Sequence, residues 1–426
     1  MSADTASSGK PVTMSRPLPA VTVAVPRDGQ GPAQRTGTRS VVPDDLAGRA
    51  RSPWRAAFLA ALAVWSSGTV MHLVVSALAS QLGRTDQGPT LWGIALAWNG
   101  WDAGHYVRIA ESGYHLGPGF PAFFPLFPLL VHVVDVVLPV GALVSSLLVA
   151  NAAAFGALAM LHRLAEHEFG PRVAQRATWY LAAFPMGFYL FIGYNASLFM
   201  LLAVGALYAA RRGNWWLAGA LGALSSATRL FGLLLMVPLA IEYLRQIGWR
   251  PHRLRLDVLG LALVPLGVVG YSVYCMVELG SPLAFAVAQD EWGRRYTVPG
   301  GAWVIAVQQM GGLWEWRTFA AVLDTGTTLI AVLLLILCVV GPFRFRRDQM
   351  YLVVHAGLTL LLLMSTEVGG RAMQSAPRYT MEAVAVFFVL ARMGAHQVVD
   401  RAVLVIGVAL HAAFLVIFMS GTVLVA

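Results

Sequence analysis

Charged side chains are scarce in this 426-residue chain. Asp, Glu, Lys and Arg together make up 12% of it, about half the share usual in soluble domains. Lysine occurs once, at Lys10, so nearly all the positive charge is arginine. Cysteine is confined to Cys275 and Cys338, both inside apolar runs. That leaves no disulfide framework and no cysteine-based metal cluster, and both read as buried small residues. There is no Walker loop, dinucleotide fingerprint, Ser–His–Asp signature or zinc motif, so nucleotide chemistry on an inner face has no residues to carry it. The net charge of +9 does not point to nucleic acid. The arginines sit in short loops between apolar stretches, as orientation in a membrane requires.

Apolar residues are abundant, at 58% of the chain with a mean hydropathy of +0.66. Several runs reach the roughly 17 to 25 residues that cross a bilayer. The composition predicts an all-α polytopic membrane protein, with spanning helices over 55–80, 141–162, 173–192, 195–210, 214–228, 231–244, 257–279, 321–341, 349–365, 379–394 and 402–424. Residues 1–52 are unlike the rest, being rich in Ser, Thr, Pro, Gly and Arg with no apolar run. They read as a disordered cytoplasmic tail, preceding a single membrane domain over 53–426.

Arginine placement sets the predicted orientation. Arg163, Arg172 and Arg176 form one cluster, and Arg211 with Arg212 another. Arg245, Arg250, Arg253 and Arg255 form a third, followed by Arg344, Arg346 and Arg347, then Arg392 and Arg401. All fall on the inner side if 122–139 makes no full crossing. That segment is broken by Pro121, Pro125 and Pro128, which remove backbone donors and disfavour helix before them. It reads as re-entrant or surface structure, giving about eleven crossings with the N-terminus cytoplasmic and the C-terminus outside. A full crossing there would make twelve and break the arginine pattern on one half. Loops 81–121, 280–320 and 366–378 then share the extracytoplasmic side with two apical turns, Gly193-Tyr194-Asn195 and Thr228-Arg229.

Polar residues of unusual kind collect in those loops. Trp101, Asp102, His105 and Tyr106 follow helical spacing, so Asp102, His105 and Tyr106 share a face. An interfacial helix with an aromatic belt would look the same. Used chemically, Asp102 is a general base for an acceptor hydroxyl, with Glu111 a weaker candidate; such a base contributes roughly 10² to 10⁴ in rate. His105 and His115 have no carboxylate at ligand spacing, so no metal is expected. In the second loop Arg294 and Arg295 suit a lipid phosphate, since guanidinium forks bind phosphate oxygens in pairs. They equally suit contact with headgroups. Gln289, Trp292 and Tyr296 lie beside them, and Asp290 and Glu291 can neutralise them. Arg229 interrupts an apolar run, and Arg371 and Arg378-Tyr379 stand in the last external loop.

In order and spacing these residues resemble the PIG-V-type mannosyltransferases, over about residues 95–385. The resemblance rests on Trp101-Asp102, His105-Tyr106 and Gly113-Tyr114, then Phe123-Phe124-Pro125-Leu126-Phe127-Pro128. It continues with Phe184-Pro185 leading to Tyr194, Ala227-Thr228-Arg229 with Gly232, Pro282 to Phe285 with Gln289 and Trp292, and finally Ser375 and Arg378-Tyr379. The family usually has Tyr-Ser-Glu-Ser where this chain has Tyr194-Asn195-Ala196-Ser197, so the acid is missing. The resemblance implies a GT-C-type glycosyltransferase architecture with extracytoplasmic juxtamembrane helices. It further implies a polyprenyl-phosphate-mannose donor, inverting displacement with Asp102 as base, and arginines on the departing phosphate. Taken with the reading of the loops, this gives Trp101, His105, Tyr106, Tyr194, Asn195, Arg229, Gln289, Trp292, Arg294, Arg295, Arg378 and Tyr379 as the residues expected at the substrate, with no cofactor and no metal.

The Ala, Gly and Arg bias suggests a high-GC bacterium, which makes a cell-envelope glycan, glycolipid or glycoprotein the expected acceptor, with membrane lipids as the other partner. Three rivals remain open at this point: a related transferase moving another lipid-phosphate sugar such as arabinose or glucose, a transporter or flippase of a lipid-linked glycan, and, given Ala196, a pseudoenzyme or assembly partner. A transporter should show paired repeats and mid-membrane acids; no repeat is visible, and the clear acids lie in loops or near helix ends.

Overall fold

The computed structural model describes residues 52–83, 90–309 and 316–421. The expected tail, 1–52, lies outside them except for Ser52. The described chain opens with α1 (Pro53–Gln81), α2 (Leu91–Trp98) and α3 (Asp102–Ser112), then α4 (Leu126–Val137), α5 (Ala142–Phe169) and α6 (Pro171–Ala183). Next come α7 (Ala196–Arg211), α8 (Trp215–Thr228), α9 (Met236–Gln246), α10 (Leu266–Leu279) and α11 (Ala284–Glu291). The rest comprises β1 (Arg294–Tyr296), α12 (Gly301–Gln308), α13 (Trp316–Leu337), α14 (Met350–Leu363), β2 (Thr366–Val368), β3 (Arg371–Ala372), α15 (Ala376–Thr380), α16 (Val384–Met393) and α17 (Gln397–Met419).

The protein is mostly helical, but not all-α as its composition suggests. β1, β2 and β3 form a small antiparallel sheet in that order. Its strands are two or three residues long, too short to leave a period in the sequence. They form because backbone donors and acceptors in the external loops need partners once the helices end.

Among the described residues four helices are long and apolar enough to cross a bilayer alone: Pro53–Gln81, Ala142–Phe169, Thr318–Leu337 and Gln397–Met419. A fifth is obtained if the 3₁₀ segment Leu256–Leu263 and α10, bent by 46°, count as one span. The other apolar runs are shorter or broken, and proline is a recurrent cause. Phe184, before Pro185, is extended (φ −56°, ψ 144°) and ends α6, as the ring of a following proline demands. Pro265 stands at the bend before α10. In 122–139 the prolines yield a 3₁₀ turn at Phe120–Ala122 and then α4. At 12 residues α4 is about 18 Å long, well short of a bilayer core of about 30 Å. Pro128 falls in its first turn, where its missing N–H would have had no partner.

α5 is the central element, packed by α1, α4, α6 and α7, with α8 against α7. The approach of α8 to the 3₁₀ segment depends on glycine: a Cβ on Gly219 would collide with the backbone carbonyl of Gly260. A second apolar cluster joins Tyr106, Ile109 and Tyr114 to Phe123, Phe124 and Phe127, and all of these to Tyr271 and Phe285. This cluster holds α3 and α4 in place over the bundle.

The two ends of the bundle differ. At one end Arg211, closing α7, is ion-paired through Nε to Glu168 Oε1 (2.6 Å), and through its terminal nitrogens to Glu242 (3.2 Å) and Asp348 (2.5 Å). Glu168 also accepts from Tyr351 (3.0 Å) and Gln349 (3.2 Å). This buried latch ties α5, α7 and α9 to the start of α14. Arg346 reaches Glu168 as well, and Arg245 pairs with Glu242. The opposite end of α7, about 24 Å away by helix rise, begins at Asn195, where the candidate site lies.

Candidate functional site

The polar loops enclose a cavity of about 310 Å³ between α3, the ends of α7 and α8, α11, β1 and α15. Trp101, Asp102, His105, Tyr106, Asn195, Arg229, Gln289, Trp292, Arg294, Arg378 and Tyr379 all line it. Residues from five separate stretches of the chain are thereby brought to one place. Tyr194 and Arg295 are not on its wall.

Asp102 is the first residue of α3, where its negative charge suits the helix N-terminus. The preceding residue, Trp101, has φ +56°, a left-handed backbone that costs a side chain of this size of order 1–3 kcal/mol. Tyr194 offsets part of that cost from below. Its hydroxyl accepts from the Asp102 backbone N–H (3.1 Å) and donates to the Gly100 carbonyl (3.3 Å). Tyr194 therefore positions Asp102 from within the core.

The Asp102 carboxylate is one-third exposed and paired: Oδ2 accepts from Arg378 at 2.7 Å. Arg378 comes from α15, whose N-cap Ser375 also has a left-handed backbone (φ +62°). Both partners of the ion pair thus leave strained helix starts. Arg378 donates to the Tyr379 hydroxyl (3.1 Å) and lies over the rings of Tyr189, Tyr194 and Tyr379.

Arg229 leaves the C-terminus of α8 in an extended conformation (φ −155°, ψ 145°). Its Nε and one terminal nitrogen donate to Asn195 Oδ1 at 2.8 and 2.5 Å. The other terminal nitrogen pairs with Glu382, a buried acid in the break between α15 and α16. Arg294 points into the cavity from β1 beside Tyr379. Arg295, next along the strand, alternates to the other side, where the register sets it opposite Glu367. The adjacent arginines therefore do not work as a pair.

Three guanidiniums thus face one cavity with two acids, Asp102 and Glu382, in reach. Burial pushes the Tyr379 phenol up, but Arg378, Arg294 and Arg229 outweigh it and bring the phenol down to about 8. Burial favours the neutral form of His105; the Asp102 charge opposes this and Arg108 reinforces it, so its pKa is lowered. The imidazole packs against Phe120, Phe123 and Trp292, and its buried Nδ1 has no hydrogen-bond partner. Trp292 is fixed by donating from Nε1 to the Gly119 carbonyl (2.9 Å). Tyr106 packs edge-on against Phe123 and Phe127.

Other candidates sit elsewhere. Arg371 holds the buried Asp324 of α13 through two nitrogens (2.9 and 2.5 Å), and Asp324 also accepts from the Ala376 N–H that opens α15. His115 lies 3.9 Å from Glu278 and, with Glu291, borders a different cavity of about 400 Å³ on the other face of α11. Glu111 lines neither cavity. Sequence reasoning missed Gln374, which lines the site, and Glu382. Glu382 lies in what reads as the spanning run 379–394, although α16 begins only at Val384. An acid four residues after Arg378 within an apolar run is the signal that was available.

The protein is a multi-pass helical membrane protein with a carboxylate and three guanidiniums gathered in a cavity at one end. Residues 87–249 match the family model described as mannosyltransferase (PIG-V). The resemblance read from Trp101-Asp102 through Arg229 and Gly232 falls inside that stretch. Curated relatives include GPI alpha-1,6-mannosyltransferase 2 of Cricetulus griseus, 32% identical over 212 residues, covering 47% of this chain and 41% of the relative. The Rattus norvegicus protein of that name is 33% identical over 215 residues, covering 48% and 42%. The match thus spans about two-fifths of the length of these relatives. Among solved structures, ArnT from Cupriavidus metallidurans bound to undecaprenyl phosphate aligns with 84% of this chain and 76% of its own, at 14% identity and a TM-score of 0.49. The Archaeoglobus fulgidus oligosaccharyltransferase tethered with an acceptor peptide aligns with 85% of this chain and 55% of its own, at 16% identity and a TM-score of 0.43.

Proposed function

We propose that this chain is an integral-membrane glycosyltransferase of GT-C-type architecture. It transfers a mannosyl residue from a polyprenyl-phosphate-mannose to a hydroxyl of an extracytoplasmic glycan, glycolipid or glycoprotein, with inversion. The observation that carries this reading is the meeting of Asp102 with Arg229, Arg294 and Arg378 in one cavity. The family match over 87–249 and the names of the relatives support mannose as the sugar.

Arg378 holds one oxygen of Asp102 and so orients the carboxylate; Oδ1 is left to take the proton of an incoming hydroxyl. The hydroxyl oxygen attacks the anomeric carbon as the bond to the phosphate oxygen breaks. The departing polyprenyl phosphate gains negative charge. Fixed guanidiniums aimed at that charge stabilise it without reorganising during the reaction. The chemistry needs neither a metal nor a nucleotide. Trp292, Gln289 and the neutral His105 supply an apolar face and polar atoms for the sugar.

The test is transfer of labelled mannose by the purified full chain from a short-chain polyprenyl phosphomannose, alongside the Asp102→Asn protein. The expected result is transfer by the wild type and a loss of roughly 10² to 10⁴ in rate in the variant. Transfer by Asp102→Asn at the wild-type rate overturns the base assignment. Transfer of a different sugar, with mannose refused, overturns the donor.

A further inference from the structure

Glu382 is the acid of the site that the chemistry above does not use. It is 2% exposed and lies at the junction preceding α16, outside that helix. One carboxylate oxygen is bonded to Arg229; the other, Oε2, is buried without a hydrogen-bond partner among the described residues. A buried acid with an idle oxygen has a cost, and its position behind a cavity-lining arginine suggests what offsets that cost.

A guanidinium carries five N–H donors. In Arg229, two go to Asn195 Oδ1 and one to Glu382. The guanidinium also lies over the rings of Phe199 and Tyr379, each centroid 5.6 Å from its carbon. Two N–H groups remain, on a side chain that cannot swing and that borders the same cavity as Asp102, Arg294 and Arg378.

We propose that Glu382 is a positioning residue for the anion subsite: by gripping Arg229 from behind and offsetting part of its charge, it sets how tightly the cavity holds a lipid-linked phosphate. The proposal rests on the lipid-phosphate reading above and adds to it a regulator of donor affinity. Burial raises the Glu382 carboxyl, Arg229 and then Arg378 pull it back, and the balance lies at about 7. The charged groups facing it are Arg229 from the end of α8 and Arg378 from α15. Asp102 of α3 and Tyr379 of α15 couple to it through Arg378. The sign follows. Below neutrality Glu382 is protonated and Arg229 shows its full charge to the cavity. Above it, the carboxylate cancels part of that charge and the grip weakens. A phosphodiester donor keeps one negative charge across this range, so the change belongs to the protein.

The experiment measures binding of a short-chain polyprenyl phosphomannose to the full chain in nanodiscs between about pH 5.5 and about pH 8.5, a window centred on the neutral range. In the wild type the Kd rises about tenfold across it, the scale of one nearby charge in a partly screened site. In Glu382→Gln, which keeps an acceptor for Arg229 but cannot ionise, the Kd stays at its low-pH value through neutrality and rises only where the Tyr379 phenol ionises, near pH 8. Glu382→Asp withdraws the carboxyl by one methylene, so it holds Arg229 less firmly and cancels less of its charge: the low-pH Kd is higher and the slope is shallower. A flat wild-type profile, a Gln variant that keeps the slope, or an Asp variant with wild-type Kd each overturns the proposal while leaving the donor assignment standing. His105→Asn, run in parallel, should keep the slope; its loss there transfers the dependence to the imidazole and overturns the role of Glu382. Failure of the wild type to bind this donor at any pH brings down the lipid-phosphate reading, and this proposal with it.

Discussion

Arg294 and Arg295 are neighbours in sequence and strangers in space. Side chains alternate across a strand, so one guanidinium enters the cavity and the other turns away opposite Glu367. Arg294→Ala should therefore raise the donor KM by about tenfold or more, as loss of a charge-assisted hydrogen bond does. Arg295→Ala should change it by less than about twofold, because this exposed side chain is not on the cavity wall and surface charges contribute little. Steady-state kinetics on the two proteins decide this, and equal losses would mean that the strand, not one guanidinium, is what matters. The Asp102–Arg378 pair makes the same point about proximity. Its members are 276 residues apart in sequence, and each stands in the first turn of a short helix entered through a left-handed residue, Trp101 or Ser375. Arg378→Lys keeps the charge but not the planar fork. It is expected to lower kcat while leaving protein abundance unchanged, because Asp102 loses its orientation.

Helix packing explains where the bundle tolerates change. Gly219 of α8 meets the carbonyl of Gly260 so closely that no Cβ fits between them. Gly219→Ala should destabilise the protein by about 1–3 kcal/mol, the range for overpacking against backbone that cannot yield. Gly270 of α10 has open space where its Cβ would be. There alanine should be neutral or stabilising by up to about 1 kcal/mol through helix propensity. Thermal unfolding in detergent separates the two, and similar melting points would contradict the close approach. The latch at Arg211 belongs to the same scale. Its acids, Glu168 and Glu242, are buried, so Arg211→Ala removes the cation they share and leaves two buried carboxylates with only Arg245, Arg346 and neutral donors to offset them. A loss of about 3–5 kcal/mol is expected, with the donor affinity of the surviving folded protein unchanged, because the latch lies at the far end of α7.

For the molecule as a whole, the first and last helices set the two ends of the described bundle apart. α1 begins at Pro53, and the next residue, Trp54, lies beside Tyr208 and Arg163 near the latch. α17 ends at Met419, and Phe418 just before it lies against Tyr189, Tyr194 and Gly100 under the site. The two termini of the described bundle therefore lie at opposite ends. The arginine-rich loops gather with the latch: Arg346 on Glu168, Arg392 on the carbonyls of Phe343 and Arg344, Arg176 on Asp400. With positive loops retained in the cytoplasm, a reporter fused after Ala426 should read as extracytoplasmic and one fused at the N-terminus as cytoplasmic. Both reporters on one side would overturn the odd number of crossings.

Composition and local pattern were enough to specify a polytopic helical membrane protein, the approximate place of each apolar run, and the α3 face that presents Asp102, His105 and Tyr106. These properties depend on hydrophobicity and on a 3.6-residue period, which are carried by neighbouring residues. Local pattern could not say that four runs are long enough to cross alone while others break at prolines, since breakage depends on what each segment packs against. Nor could it separate Arg294 from Arg295, reveal that Arg378 holds Asp102, or show Glu382 behind Arg229. Those relations join residues scores to hundreds of positions apart, and they exist only once the helices bring the loops to one end of the bundle and burial makes every unpaired charge costly.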